Sequence, residues 1–417
     1  MSIDPHQIAH RFAELSPERR QAFLARLEEN GMRFTDLPMV AVPRSPTAPL
    51  SLAQRGLWIA WQREPDSPAY NLAGVLRLGG PLNVQALVCL ELDEAGSQQR
   101  ARVLTQKPFD LMGVPALRLE LHRLDAQQHR LVIVLHHILA DGWSIGLIIE
   151  DLAAAYAARC RGLAPQWPAL AVQYADYAGW QRRWLEAGEQ ARQLDYWRQQ
   201  LSDDHTPLAL PLDRPRSAQR DARGASVRVQ VSADTSARLR SLAKAQGATT
   251  FMAMLAVLKL LLARQSSADR VRIGSPLANR TRAETQRVVG YFTTLSVLST
   301  AVDERQSFTA LLDRVRSTLF EAQEHAQLPF DQLVPALAPP REAGTHPLFQ
   351  VKCTEQPASR PQRFAELSMS LEGLTAGEVH FDLSVDFTDR AEGIEVSIAY
   401  ACDLFDAVRI ERFAAQL

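Results

Sequence analysis

A mixed α/β (α+β) chain in two lobes is what this sequence predicts, and three observations carry the prediction. Its 417 residues exceed the usual single domain, so two hydrophobic cores are expected. Strand and helix patterns are mixed but do not strictly alternate, which argues against one closed barrel. Residues 206–224 are rich in proline, aspartate, arginine and serine and form the best candidate for a boundary between lobes.

The first helical pattern covers residues 16–29. Ser16 and Pro17 open it, Phe23, Leu24 and Leu27 line one face, and Gly31 stops it. Residues 35–49 are proline-rich and read as a linker, and a second helix is expected over 50–61. Residues 117–124 alternate as a strand does, while 131–135 (LVIVL) form a continuous apolar run suited to burial on both faces. Helices follow at 143–158 and across 171–201. Past the boundary come a strand at 226–231, helices at 234–246 and 249–264, and a strand at 271–274. Further strands are expected at 295–300, 348–354, 381–388 and 393–400, with a closing helix from Leu404. The expected division is a helical extension and linker over 1–45, a first lobe over 46–212 and a second over 213–417.

Composition excludes several classes of function. With 46 basic and 47 acidic residues the formal net charge is −1, which argues against bulk binding to nucleic acid or an anionic membrane. Cys89, Cys160, Cys353 and Cys402 are dispersed with no C-x-x-C pair, so neither a zinc site nor a disulfide framework is expected. The N-terminal stretch MSIDPHQIAHRF carries charge where a signal peptide needs an apolar core. The longest apolar stretch, 251–263, includes Lys259 and falls short of the roughly 20 residues a membrane span requires. The expectation is a soluble, cytoplasmic protein without a nucleic-acid or membrane partner.

The chemistry concentrates in Leu135-His136-His137-Ile138-Leu139-Ala140-Asp141-Gly142-Trp143-Ser144. Two histidines follow a buried strand, and Asp141-Gly142 makes a turn before a helix. A rigid strand end aims an imidazole into a cleft, and imidazole exchanges a proton near neutral pH, its ordinary pKa being about 6.5. Adjacent side chains on extended backbone point opposite ways, so only one histidine faces a given cleft. The bland alternative is that both are satisfied structural residues. A metal site needs further ligands that nothing nearby supplies. Gly142-Trp143-Ser144-Ile145-Gly146 matches the G-x-S-x-G elbow of serine hydrolases. Residues 136–141 intervene between strand and serine, which sets that reading aside. No Walker-type phosphate loop is present, so substrate activation by ATP is not expected.

His136-His137-Ile138-Leu139-Ala140-Asp141-Gly142 reads H-H-x-x-x-D-G and resembles the signature of nonribosomal peptide synthetase condensation domains. Five more segments resemble that family in order. They are Ser51 to Trp58 (SLAQRGLW), Tyr174 to Trp180 (YADYAGW), Val289 to Thr294 (VGYFTT), His325 to Asp331 (HAQLPFD) and His346 to Val351 (HPLFQV). The resemblance implies a V-shaped, two-lobed pseudodimer, each lobe similar to chloramphenicol acetyltransferase, with the active site between lobes. It implies amide-bond formation: the amine of a carrier-bound acceptor attacks the thioester of a carrier-bound donor.

No prosthetic group is implied in the domain itself; the substrates would arrive on the 4'-phosphopantetheine arms of upstream and downstream peptidyl carrier domains, beside an adenylation domain. The family assigns catalytic importance to the position of His137, as general base or as a group that orients the amine and stabilises developing charge. Gly142 would leave space, or present a backbone N–H, near the reacting carbonyl. His136 and Asp141 complete the catalytic candidates, Asp141 in a structural role paired with Arg280 of the other lobe. Trp143, Ser144, Asn279, Arg280 and Thr293 are the candidate substrate-binding residues.

Two departures from the family pattern stand out. Thr293 and Thr294 occupy places where valine and asparagine are usual. The family's R-H-E-x-L-R-T-x-F segment is not found between Leu82 and Phe109, where residues 83–88 run directly into Cys89 as though the usual helix and hairpin were cut short by several dozen residues. Omission of a stretch is the favoured explanation, because true loss of a core strand would expose a sheet edge and its apolar face. A chain break between Ala86 and Asp93 is the resulting expectation. An epimerisation domain shares the signature and fold, and a non-catalytic docking module would keep the fold alone. The opening segment resembles more closely the condensation type that takes an L-configured donor. The helix over 16–29 is read either as a docking element for an upstream carrier or as a packing helix.

Overall fold

The computed structural model describes residues 4–43, 48–82, 89–113, 116–201, 205–218, 221, 223–340, 342–358, 362–364, 367–373 and 379–417. In chain order the elements begin with helices α1 (Pro5–Glu14), α2 (Pro17–Glu29) and α3 (Leu52–Arg63), then strands β1 (Asn71–Gly79) and β2 (Cys89–Glu91). Helix α4 (Glu94–Gln106), strands β3 (Leu117–Arg123) and β4 (Gln128–His136), and helices α5 (Gly142–Cys160), α6 (Tyr174–Trp184) and α7 (Gln190–Gln200) follow. After them come β5 (Gly224–Gln230), α8 (Ala233–Ala245), α9 (Thr250–Ser266), β6 (Arg270–Leu277) and β7 (Thr294–Ala301). The chain continues with α10 (Phe308–Glu324), α11 (Phe330–Leu337), β8 (Val351–Gln356), β9 (Gln362–Phe364) and β10 (Leu367–Gly373). It closes with β11 (Leu383–Arg390), β12 (Gly393–Ala401) and α12 (Ala407–Gln416).

Two compact units result, and they differ from a single cut near residue 212. The first gathers residues 1–191, 280–293 and 359–376; the second gathers 192–279, 294–358 and 377–417. The described residues 4–43 fold with the first unit rather than standing apart. The reason is apolar packing. Phe12 of α1 meets Phe34 at 4.5 Å, and Phe34 stacks on Trp180 of α6 at 5.6 Å. Ile8, Phe12 and Leu27 are buried in that cluster, so the α1–α2 pair is a packing element. The sequence reading missed α1, although Asp4 caps it and Pro5 opens it, the usual start signals.

The first unit is built on a sheet of order β2-β3-β4-β1-β10-β9. β4 lies between β3 and β1, antiparallel to both, and every residue after Gln128 is buried, which explains its unbroken apolar run. β10, drawn from the far end of the sequence, pairs antiparallel with β1. Arg77 and Arg130 each bridge Glu94 and Glu372, tying α4 and β10 onto the strands between them. β2 pairs with β3 only opposite Leu121–Arg123. Among the described residues the remainder of that β3 edge has no partner strand, and Leu117 and Leu119 are 43% and 40% exposed. Of the expected break between Ala86 and Asp93, residues 86–88 lie outside the described residues, while 89–93 run without interruption through β2 into the Asp93 cap of α4.

The second unit carries a sheet of order β5-β12-β11-β8-β6-β7, with β8 parallel to both β11 and β6. Its core centres on α9, where Phe251, Met252, Leu255, Leu258 and Leu262 are buried. Lys259 is fully buried there; burial drags its amine down to about 7, and it donates to the carbonyls of Val271 and Leu298 at 3.0 and 2.6 Å. Among the described residues no single helix is long and apolar enough to cross a membrane.

Candidate active site

β4 ends at His136, and the next turn carries the signature. His136 is 3% exposed, and its Nδ1 accepts the backbone N–H of Ile138 at 3.1 Å. Burial, reinforced by the charge of a protonated His137, lowers its pKa to about 4, so it is neutral at pH 7 with its proton on Nε2. His137 is half-buried and extends the ladder one step, donating its backbone N–H to the Tyr70 carbonyl at 2.8 Å. Its Nδ1 lies 2.9 Å from the Ala140 carbonyl, which only accepts, so Nδ1 carries the proton. In the neutral ring Nε2 therefore holds the lone pair. The two histidines divide as adjacent strand-end residues should, one into the core and one toward the surface.

Asp141 caps α5 and is completely buried. Its Oδ1 accepts the Ser144 N–H at 2.8 Å and a guanidinium N–H of Arg280 at 3.2 Å. Its Oδ2 accepts the Phe292 N–H at 3.1 Å and the Thr293 hydroxyl at 3.4 Å. Both oxygens are engaged by protein donors, which makes Asp141 a structural pin. The expected pairing with Arg280 is present, but Arg280 belongs to the same unit as Asp141 rather than to the other lobe. The segment 280–293 folds onto α5, a long-range return that local periodicity does not reveal.

Arg280 is likewise occupied. It donates to the carbonyls of Thr285 and Val288 at 2.6 and 2.7 Å and to Ser144 Oγ at 2.7 Å. Its guanidinium also sits 4.0 Å from the Phe292 ring centroid. Burial pulls its pKa down, and the Asp141 carboxylate opposes that pull. Ser144 is fully buried; its hydroxyl also donates to the Gly290 carbonyl at 2.9 Å and accepts the Gly290 N–H at 3.1 Å. A hydroxyl so engaged, in the first turn of a helix, is not the nucleophile of a hydrolase elbow. Trp143 is 47% exposed, and its indole N–H donates to the Gln286 carbonyl at 3.0 Å. Asn279 lies in the second unit in the left-handed backbone region, φ +51°, where its Oδ1 accepts from Gln327 at 2.6 Å.

Gly142 opens α5, where a helix has no intrahelical acceptor for its N–H. A Cβ built there meets no atom within 4 Å among the described residues, so local space does not by itself require a glycine. Gly290 is the opposite case: a Cβ there would lie 1.8 Å from the Tyr174 ring. The backbone of 290–292 is thus pressed onto Tyr174, whose hydroxyl donates to the Tyr291 carbonyl. This brings the Tyr291 ring to 4.8 Å from His137, edge to face. The sequence reading missed Tyr291 because it occupies the variable place in V-G-x-F. The structure thus brings His137, Asp141, Gly142, Trp143, Ser144, Arg280 and Thr293 into one unit, and leaves Asn279 in the other. Among the described residues no group of histidines, cysteines and carboxylates is placed to hold a metal.

Comparison with known proteins bears on the family and the fold. The Condensation domain family matches residues 90–417. The chain is 33% identical to malpibaldin synthetase of Mortierella alpina over 95% of its length, covering 8% of that protein. It is 33% identical to phosphinothricin tripeptide synthetase PhsC of Streptomyces viridochromogenes over 98% of its length and 42% of that protein. The chain therefore spans only a small part of most of these relatives. The PhsC alignment runs over 457 positions although this chain has 417 residues, so the relative holds several dozen residues that this chain lacks.

Among solved structures, the X-domain from teicoplanin biosynthesis superposes with a TM-score of 0.80 at 27% identity, covering 91% of this chain and 95% of that one. The first condensation domain of the calcium-dependent antibiotic synthetase superposes at 0.74 and 20% identity, covering 89% and 96%, a likeness of fold. The mixed α/β fold is that of these domains, similar to chloramphenicol acetyltransferase. The epimerisation alternative is not favoured by these relatives. By fold and sequence, this chain belongs to the condensation-domain family of nonribosomal peptide synthetases.

Proposed function

We propose that the chain joins two carrier-bound acyl groups: the acceptor's amine attacks the donor's thioester carbonyl, an N–C bond forms and the C–S bond breaks. The observation that carries this reading is His137, whose Nδ1 is held as a donor to Ala140 so that Nε2 is the acceptor. Nε2 would receive an N–H of the attacking amine, orient its lone pair, and take up the proton released as the amide forms. A neutral amine is already nucleophilic, so orientation comes first and proton removal second. The proton finally balances the thiolate that leaves. Gly142 would serve by keeping the mouth of α5 open to substrate, and its first-turn N–H is polarised toward developing negative charge. Asp141, Ser144, Arg280 and Thr293 support this turn from beneath, and Trp143 remains a candidate substrate contact.

The donor and acceptor would be presented on phosphopantetheine arms of upstream and downstream carriers in the cytoplasm, beside an adenylation domain, with an L-configured donor. The multidomain lengths of the relatives support these partners. A second reading, a docking module, is favoured by one observation: the likeness to an X-domain that was solved in a complex with OxyB. Formation of a dipeptidyl product on an acceptor carrier, lost in His137→Ala, tests the first reading against the second.

A further inference from the structure

We infer that Tyr291 is a positioning residue for His137, fixing the plane of the imidazole so that Nε2 points at the reacting amine; this rests on the reading proposed above. The hydrogen bond from Nδ1 to the Ala140 carbonyl fixes one edge of the ring and allows rocking about that contact. The Tyr291 ring, 4.8 Å away at an interplanar angle of 66°, closes that freedom from the side. Its own placement is set by three consecutive residues. Gly290 exchanges two hydrogen bonds with Ser144 Oγ, the Tyr291 carbonyl accepts from Tyr174, and the Phe292 N–H is held by Asp141. Tyr174 is itself fixed, because its hydroxyl meets Ser51 Oγ at 2.8 Å. Ser51 caps α3, so a chain of contacts runs from that cap through Tyr174 and Tyr291 to the imidazole. A buried pin that merely held the fold would not need an aromatic ring against the histidine. Tyr291→Phe keeps the ring, and Tyr291→Leu keeps bulk without its faces.

The experiment uses the 417-residue chain with histidine side chains isotopically labelled, and follows the His137 ring signals by NMR beside carrier-loaded turnover. Tyr291→Phe is expected to match wild type in both. Tyr291→Leu is expected to move the His137 ring signals and lower kcat about tenfold, with KM for the acceptor carrier unchanged within about twofold and unfolding unaltered. Unmoved His137 signals in Tyr291→Leu would overturn the inference, as would a change confined to KM, which would make Tyr291 a substrate contact. If wild type forms no amide with any carrier pair, the proposed function fails. The NMR comparison still decides whether Tyr291 holds the ring.

Discussion

Asp141 and Arg280, 139 positions apart in sequence, meet at 3.2 Å with both side chains withdrawn from solvent. Each charge is compensated by the other and by the hydrogen-bonding groups around it. A buried pair of this kind costs little while intact and much when one partner is removed, because the survivor is left desolvated. Asp141→Asn should therefore destabilise the protein by about 3 kcal/mol in urea unfolding, since the amide turns an N–H toward the Phe292 N–H or forfeits an acceptor. Turnover should fall with it. A variant with full stability and full turnover would show that the pin is dispensable.

Gly142 is predicted to behave in the opposite way. A Cβ there meets no protein atom within 4 Å among the described residues, so Gly142→Ala should leave unfolding free energy within about 0.5 kcal/mol of wild type. If the space is reserved for substrate, turnover should fall by about a hundredfold. Equal turnover would assign the glycine no role in the reaction.

His136 makes stability depend on pH. Its folded pKa of about 4 lies below the ordinary value of 6.5, so the unfolded chain binds the extra proton more readily. Its contribution is fully present above pH 6.5 and is lost as pH falls from there toward 4, by about 3 kcal/mol. His136→Asn offers an acceptor for the Ile138 N–H without a titrating ring. The difference in unfolding free energy between wild type and this variant should therefore narrow by that amount between those two pH values. Parallel pH curves would contradict the assignment.

The N-terminal helices are predicted to matter for stability before they matter for partners. Phe34 is buried between Phe12, Trp180 and Trp184, so Phe34→Ala should cost about 3 kcal/mol. Deleting the residues before Pro43 should lower the unfolding midpoint even without any carrier present. An unchanged midpoint, with loss of turnover only when carriers are supplied in trans, would favour a docking role instead.

Much of the fold is legible in the sequence, for physical reasons. The strand over 131–135 announces itself because a central strand is buried on both faces, and α9 because its apolar run is long and capped by Thr249. The histidine turn is legible because H-H-x-x-x-D-G packs several roles into seven residues. What escapes is whatever depends on chain return: β10 joining β1, and residues 280–293 closing over α5. Tyr291 escapes for the same reason, since its importance lies in proximity to a residue over 150 positions away and not in its own motif.

On the proposed reading, His137 promotes amide formation between tethered substrates. Its most direct test is mass spectrometry of an aminoacyl-loaded acceptor carrier after mixing with an aminoacyl-loaded donor carrier, using wild type and His137→Ala at matched stability. Dipeptidyl product on the acceptor with wild type, and a drop of about a hundredfold or more with the variant, is the predicted result. Product formed equally well by both proteins, or by neither across donors and acceptors of varied side chain, would contradict it.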